Sequence, residues 1–120
     1  MRIFLAIRGT KMRMALRLLL EQQPGLELAG EAADAEELLP QLDDNHPDLL
    51  LIDWDLSGSA TVTVLRLLCK RYPALRVVAL RGPQQVPPPV DGVDAFRNTG
   101  DPPDRLLETI RALQHCPGKS

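Results

Sequence analysis

The chain has 120 residues, the length of one domain with room for a single core. Apolar residues make up 44% and charged residues 25%, an ordinary globular balance rather than that of a disordered chain. Fourteen Lys and Arg against sixteen Asp and Glu leave a net charge of −2, which argues against nucleic-acid binding through bulk electrostatics.

An apolar run over residues 2–7, with Ile3, Phe4 and Leu5 in succession, predicts a strand covered on both faces. Thr10 then caps a helix that carries Met12, Leu16, Leu19 and Leu20 on one face and ends before Pro24. Pro24-Gly25 turns into a second strand over 26–32. Asp34 with Glu37 three residues on opens a second helix through Leu38, Leu39 and Leu42, which Pro40 should kink or shorten. The most apolar strand follows at 48–52 and is expected at the centre of the sheet. After a Ser57-Gly58 turn, a helix is expected over 59–71, although its β-branched run Thr61–Val64 weakens the start. A fourth strand at 75–80, a fifth and weaker one at 94–98, and a last helix opened by Asp101-Pro-Pro-Asp complete the chain.

Strand and helix in alternation, with short connections, predict an α/β fold: a parallel sheet with helices on both faces. Right-handed crossovers then gather the functional loops at the carboxyl ends of the strands. The groups expected there are Ile7 and Arg8, Asp53-Trp54-Asp55, Arg81, and Asn98-Thr99. Asp53 and Asp55 by themselves read as a solvated loop after a strand rather than as paired carboxylates for metal or acid–base chemistry. Arg8, Lys11, Arg13 and Arg17 form a basic cluster on the first helix, read as a solvated face rather than an anion site. Two cysteines, Cys69 and Cys116, have no His or Cys at ligand spacing; that pattern excludes a zinc module or disulfide framework and fits a reduced cytoplasm. No apolar run approaches the roughly 18 residues of a bilayer span, and residues 1–8 are too short an apolar stretch for a secretory signal.

The stretch Pro47-Asp-Leu-Leu-Leu-Ile-Asp53-Trp-Asp-Leu-Ser-Gly58 resembles the third strand and following loop of bacterial response regulator receiver domains. The segments from Glu27 through Leu39, Arg76-Val-Val-Ala-Leu, Gly92-Val-Asp-Ala-Phe96 and Pro102-Pro-Asp-Arg-Leu-Leu resemble further receiver elements in the same order. The likeness covers nearly the whole chain and is nearest to receivers that precede a helix-turn-helix output domain. It implies a flavodoxin-like five-stranded sheet of order 2-1-3-4-5, a receiver-like domain over 1–116, and a linker or tail beginning at 117–120.

The resemblance makes Asp53 the phosphoacceptor and Phe96 the switch aromatic. Asp55 falls where the family uses a backbone carbonyl to ligate Mg²⁺. The family's metal-holding acids, however, correspond to Ile7 and Arg8, its hydroxyl residue to Arg81, and its lysine to Thr99. Trp54, beside the acceptor, either covers the pocket or offers an anchor to a partner. Arg8 and Arg81 are expected to converge on Asp53 as an internal ion pair in place of the metal. Pro83, Pro87, Pro88 and Pro89 are incompatible with a full fourth helix, which should be shortened or lost.

These departures imply a non-enzymatic, atypical receiver in two-component signalling, with weak or absent Mg²⁺ binding and no other cofactor. Its expected partner is a protein: a sensor kinase, an output domain or a second copy, with no nucleic acid or membrane bound by this domain. A conventional phosphoacceptor using Asp53, and a small anion-binding flavodoxin-like domain, remain as alternatives. The latter lacks a glycine-rich phosphate loop after the first strand, where Arg8-Gly9-Thr10 has a single glycine.

Overall fold

A computed structural model of the protein describes residues 1–54, 60–82 and 93–115. Among the described residues nine elements follow in order: β1 (Arg2–Ala6), α1 (Thr10–Glu21), β2 (Glu27–Ala32), α2 (Ala35–Asn45), β3 (Leu49–Asp53), α3 (Ala60–Arg71), β4 (Arg76–Arg81), β5 (Ala95–Asn98) and α4 (Pro103–His115). The five strands form one sheet in the order β2-β1-β3-β4-β5, and every neighbouring pair is parallel. The fold class and strand order are those expected. The Ser57-Gly58 turn, Asp55, the proline-rich stretch that bears on a fourth helix, Cys116 and the 117–120 tail lie outside the described residues.

Strand parity divides the core in two. Phe4, Ala6, Leu50, Ile52, Val77 and Ala79 point to one face, where Leu38 and Leu42 of α2 and Leu65 and Leu68 of α3 cover them. Ile3, Leu5, Leu49, Leu51, Val78 and Leu80 point to the other, under Leu16 and Leu20 of α1 and Leu106 and Ile110 of α4. Because alternate residues face opposite layers, the covered stretches of β1 and β3 must be apolar on both faces, and residues 3–6 and 49–52 are fully buried.

Several boundaries differ from the sequence expectation. Gly9, in extended geometry without a side-chain cap, precedes α1, and Thr10 is already its first helical residue. Asp34 does cap α2: its Oδ1 accepts from the Glu37 N–H at 2.9 Å, while Glu37 Oε2 accepts from Ala33 N–H. α2 runs unbroken through Pro40 to Asn45. The proline and Glu36, whose carbonyl it cannot serve, are both exposed residues. His46 closes this helix in the left-handed region at φ 45°, its N–H bonded to Leu42 O. β3 and β4 each end one residue later than expected, which makes Asp53 and Arg81 strand-terminal residues rather than loop residues.

Candidate functional site

β2 and β3 flank β1 on opposite sides, so the crevice at the carboxyl ends of β1 and β3 is where the strand order reverses. Asp53 closes β3 there, half-buried and in register with Leu80. The next residue, Trp54, is anchored by its own N–H to Leu80 O at 2.8 Å. Its ring packs on Phe96 of β5 with centroids 5.8 Å apart and planes tilted by 60°, one of the arrangements that aromatic quadrupoles favour. Both rings are half-buried against the α2–α3 core layer.

The end of β1 is closed by hydrocarbon and a guanidinium. Ile7 is 1% exposed and donates its N–H to Ala32 O of β2. Its carbonyl accepts from Arg13 Nη1 of α1 at 2.9 Å. Arg13 also lies 3.9 Å from Glu31 Oε1, and Arg17, one turn further on, meets Glu31 Oε2 at 3.1 Å. Arg13 and Arg17 therefore do not form the solvated face expected of the basic cluster; they tie α1 to the edge of β2. Arg8 and Lys11 are exposed.

The expected convergence of arginines on Asp53 does not form: among the described residues, neither Arg8 nor Arg81 is ion-paired with it. Register gives the reason for Arg81. It stands opposite Asn98 across the β4–β5 ladder, and its Nε donates to Asn98 Oδ1 at 3.1 Å. Reaching Asp53 would mean breaking that bond and ordering a long side chain afresh. Thr99 is exposed, and its N–H caps β4 through Arg81 O at 2.8 Å. The crevice thus brings together the ends of β1, β3, β4 and β5 carrying Ile7, Asp53, Trp54 and Arg81, with Arg8 and Thr99 at its solvent edge.

Among the described residues, no group of three or more His, Cys, Asp or Glu side chains stands close enough to hold a metal ion. No described helix is long and apolar enough to cross a membrane. Arg13, Glu31 and Asn98 were not singled out by sequence reasoning as partners in this region. The available signal was positional: Arg13 lies three and seven residues before Leu16 and Leu20, on the inner stripe of α1.

The sequence pattern described as "Response regulator receiver domain" matches residues 9–96. The transcriptional regulatory protein LiaR of Bacillus subtilis is 28% identical over 79 residues, covering 66% of this chain and 37% of LiaR. A protein-glutamate methylesterase/protein-glutamine glutaminase of Alkalilimnicola ehrlichii is 30% identical over 61 residues, 51% of this chain and 16% of that protein. The matched regions span less than half the length of either relative. In three dimensions the chain is similar to the isolated receiver domain of RcsB from Salmonella enterica serovar Typhimurium, with a TM-score of 0.84 at 19% identity over 99% of this chain and 91% of that one.

Proposed function

This chain belongs to the response regulator receiver domain family, and we propose that it is an atypical member whose output does not depend on Mg²⁺-assisted phosphorylation. Receiver domains are regulatory modules that work with kinases and output domains. In this reading Asp53 is the phosphoacceptor-equivalent residue, with Ile7, Arg8, Trp54, Arg81 and Thr99 as its pocket positions; the resemblance adds Asp55 to that set.

The observation that carries the proposal is the end of β1. A hard divalent cation at a phosphoryl-transfer site needs several oxygen ligands and anionic charge to displace its water. At the two positions that the family resemblance gives to metal-holding acids stand a buried isoleucine and an exposed arginine. The one oxygen that Ile7 offers, its carbonyl, already accepts from Arg13. These residues do not fit Mg²⁺.

Two further features support the same reading. Phosphoryl transfer rests on positioning and on neutralising the charge of the phosphoryl oxygens. Where the resemblance expects a small hydroxyl residue, Arg81 is bonded to Asn98; where it expects lysine, Thr99 is exposed. Phe96, in contact with Trp54, has no nearby hydroxyl at residue 81 to follow.

The module then acts in the cytoplasm through a protein partner: a sensor kinase, an output domain or a second copy. LiaR, named a transcriptional regulatory protein, supports placing this receiver at the head of a transcriptional regulator. The retained Asp53 favours a second reading, a phosphoacceptor served by unusual help. Incubation with acetyl phosphate and Mg²⁺, followed by intact mass and peptide mapping, separates the two. We expect no adduct on Asp53; a phosphoryl adduct that Asp53→Asn abolishes would restore the conventional mechanism.

A further inference from the structure

β5 carries a residue at odds with its layer. Parity places Arg97 on the α1–α4 face: it pairs with Leu80 across the ladder, two residues after Ala95, and both of those neighbours belong to the apolar layer under α1 and α4. A half-buried guanidinium therefore stands where the alternation calls for hydrocarbon. Its Nε donates to Thr109 Oγ1 at 2.6 Å and its Nη1 to the Phe96 carbonyl at 3.3 Å. Both acceptors are neutral, and no carboxylate among the described residues pairs with it. Of the five N–H donors of an arginine, two bond to partners among the described residues.

This cation borders a cavity of about 320 Å³ between α1 and α4, within the size range of small-molecule sites. Met12, Leu16, Leu19, Leu80 and Leu106 form its apolar wall; Arg97, Asn98 and Asp101 stand at its polar end. Asp101 forms no ion pair with Arg97 among the described residues; its Oδ2 is turned to the Asn98 N–H at 3.3 Å. A charge held beside apolar wall without a counter-ion is costly, and an anion that enters the cavity relieves the cost. An apolar body is required to fill the remainder.

We propose that this cavity binds a small carboxylic acid with an aliphatic body, its carboxylate on the Arg97 guanidinium and its chain along the α1–α4 wall. The site lies on the opposite side of the sheet from the Trp54–Phe96 pair and does not depend on how Asp53 behaves.

Titration of the chain with octanoate, read by calorimetry and by amide chemical shifts, tests the proposal. Octanol and octylamine serve as neutral and cationic probes of the same length. Octanoate should bind saturably and shift residues of α1, β5 and α4, with octanol at least about tenfold weaker, the effect of losing one charge-assisted bond. R97M should reduce octanoate to the level of octanol. Ala15→Trp, which fills the cavity from an exposed position on α1 and leaves Arg97 and Thr109 in place, should abolish binding. Circular dichroism verifies that both variants are folded. The proposal is overturned if octanoate does not saturate, if R97M binds it as the parent does, if octylamine binds better, or if Ala15→Trp only dissociates a dimer, which would give the cavity to a second copy.

Discussion

Arg13→Met isolates the contact that closes the end of β1. The methionine retains most of the apolar stem, so the lost quantity is chiefly polar. Two interactions disappear. The Ile7 carbonyl, on a residue 1% exposed, loses its 2.9 Å donor, and leaving such an acceptor unsatisfied costs about 1–3 kcal/mol. The 3.9 Å approach to Glu31 also goes, between side chains 21% and 26% exposed; at that distance, with solvent partly screening it, the pair contributes less than about 1 kcal/mol. Glu31 keeps Arg17 at 3.1 Å. The sum is a destabilisation of about 2 kcal/mol, which in a domain of this size lowers Tm by about 8 °C. Urea unfolding followed by the fluorescence of Trp54, the single tryptophan, measures it, with Arg17→Met as the comparator. Among the described residues Arg17 holds the Glu31 ion pair alone, and its side chain is 36% exposed, so its loss should cost less than about 1 kcal/mol. If Arg13→Met proves no more destabilising than Arg17→Met, the carbonyl contact does not hold β1 in the way argued.

Other consequences follow from single contacts. Gly30→Ala would place a Cβ 2.8 Å from Phe4 Cε2; Phe4 is fully buried and cannot give way, so a loss of about 1–3 kcal/mol in urea unfolding is expected, and an unchanged midpoint would contradict the close packing of β2 on β1. Asp34→Ala removes the cap of α2 and should cost about 1 kcal/mol, read from the same unfolding curves. The Asp43 carboxyl is held below its ordinary 3.8 chiefly by the Tyr72 hydroxyl, with Arg71 adding to the effect; the stability it contributes is present above pH 3.8 and lost as pH falls through the lowered value. Burial, and then Asp43, push the Tyr72 phenol above 10.0, so that contribution is full below pH 10.0 and lost as pH rises through the raised value. Tm measured against pH should therefore show a shallower acid limb in Asp43→Asn than in the parent chain; parallel limbs would refute the linkage.

How far these features were legible in the sequence depends on the range of the interaction. The runs Ile3-Phe4-Leu5 and Leu50-Leu51-Ile52 announce strands buried on both faces, because parity leaves no position for a polar residue. Asp34 and Glu37 announce a helix start through a contact three residues long. Strand order is not a local property, and it came from the resemblance rather than from periodicity. The side-chain partners of the arginines are less legible still. Arg81 meets Asn98 and not Asp53 because of the β4–β5 register, which nothing in the local pattern specifies. Arg13 reads as one member of a basic face until the packing of α1 turns it toward the Ile7 carbonyl. Arg97 is a further case: the pattern of a short, weak strand assigns it no partner, yet parity turns it inward to Thr109, a residue only 6% exposed.

The central claim is that the hollow beside Asp53 is not a metal site, and Mg²⁺ titration of the parent chain by Trp54 fluorescence, with and without beryllofluoride, tests it most directly. Trp54 follows Asp53 in the chain and touches Phe96, so a cation seated at the acceptor would alter its surroundings. The account predicts no saturable change into the millimolar range. A saturating micromolar-to-millimolar response that beryllofluoride strengthens and Asp53→Asn removes would contradict it.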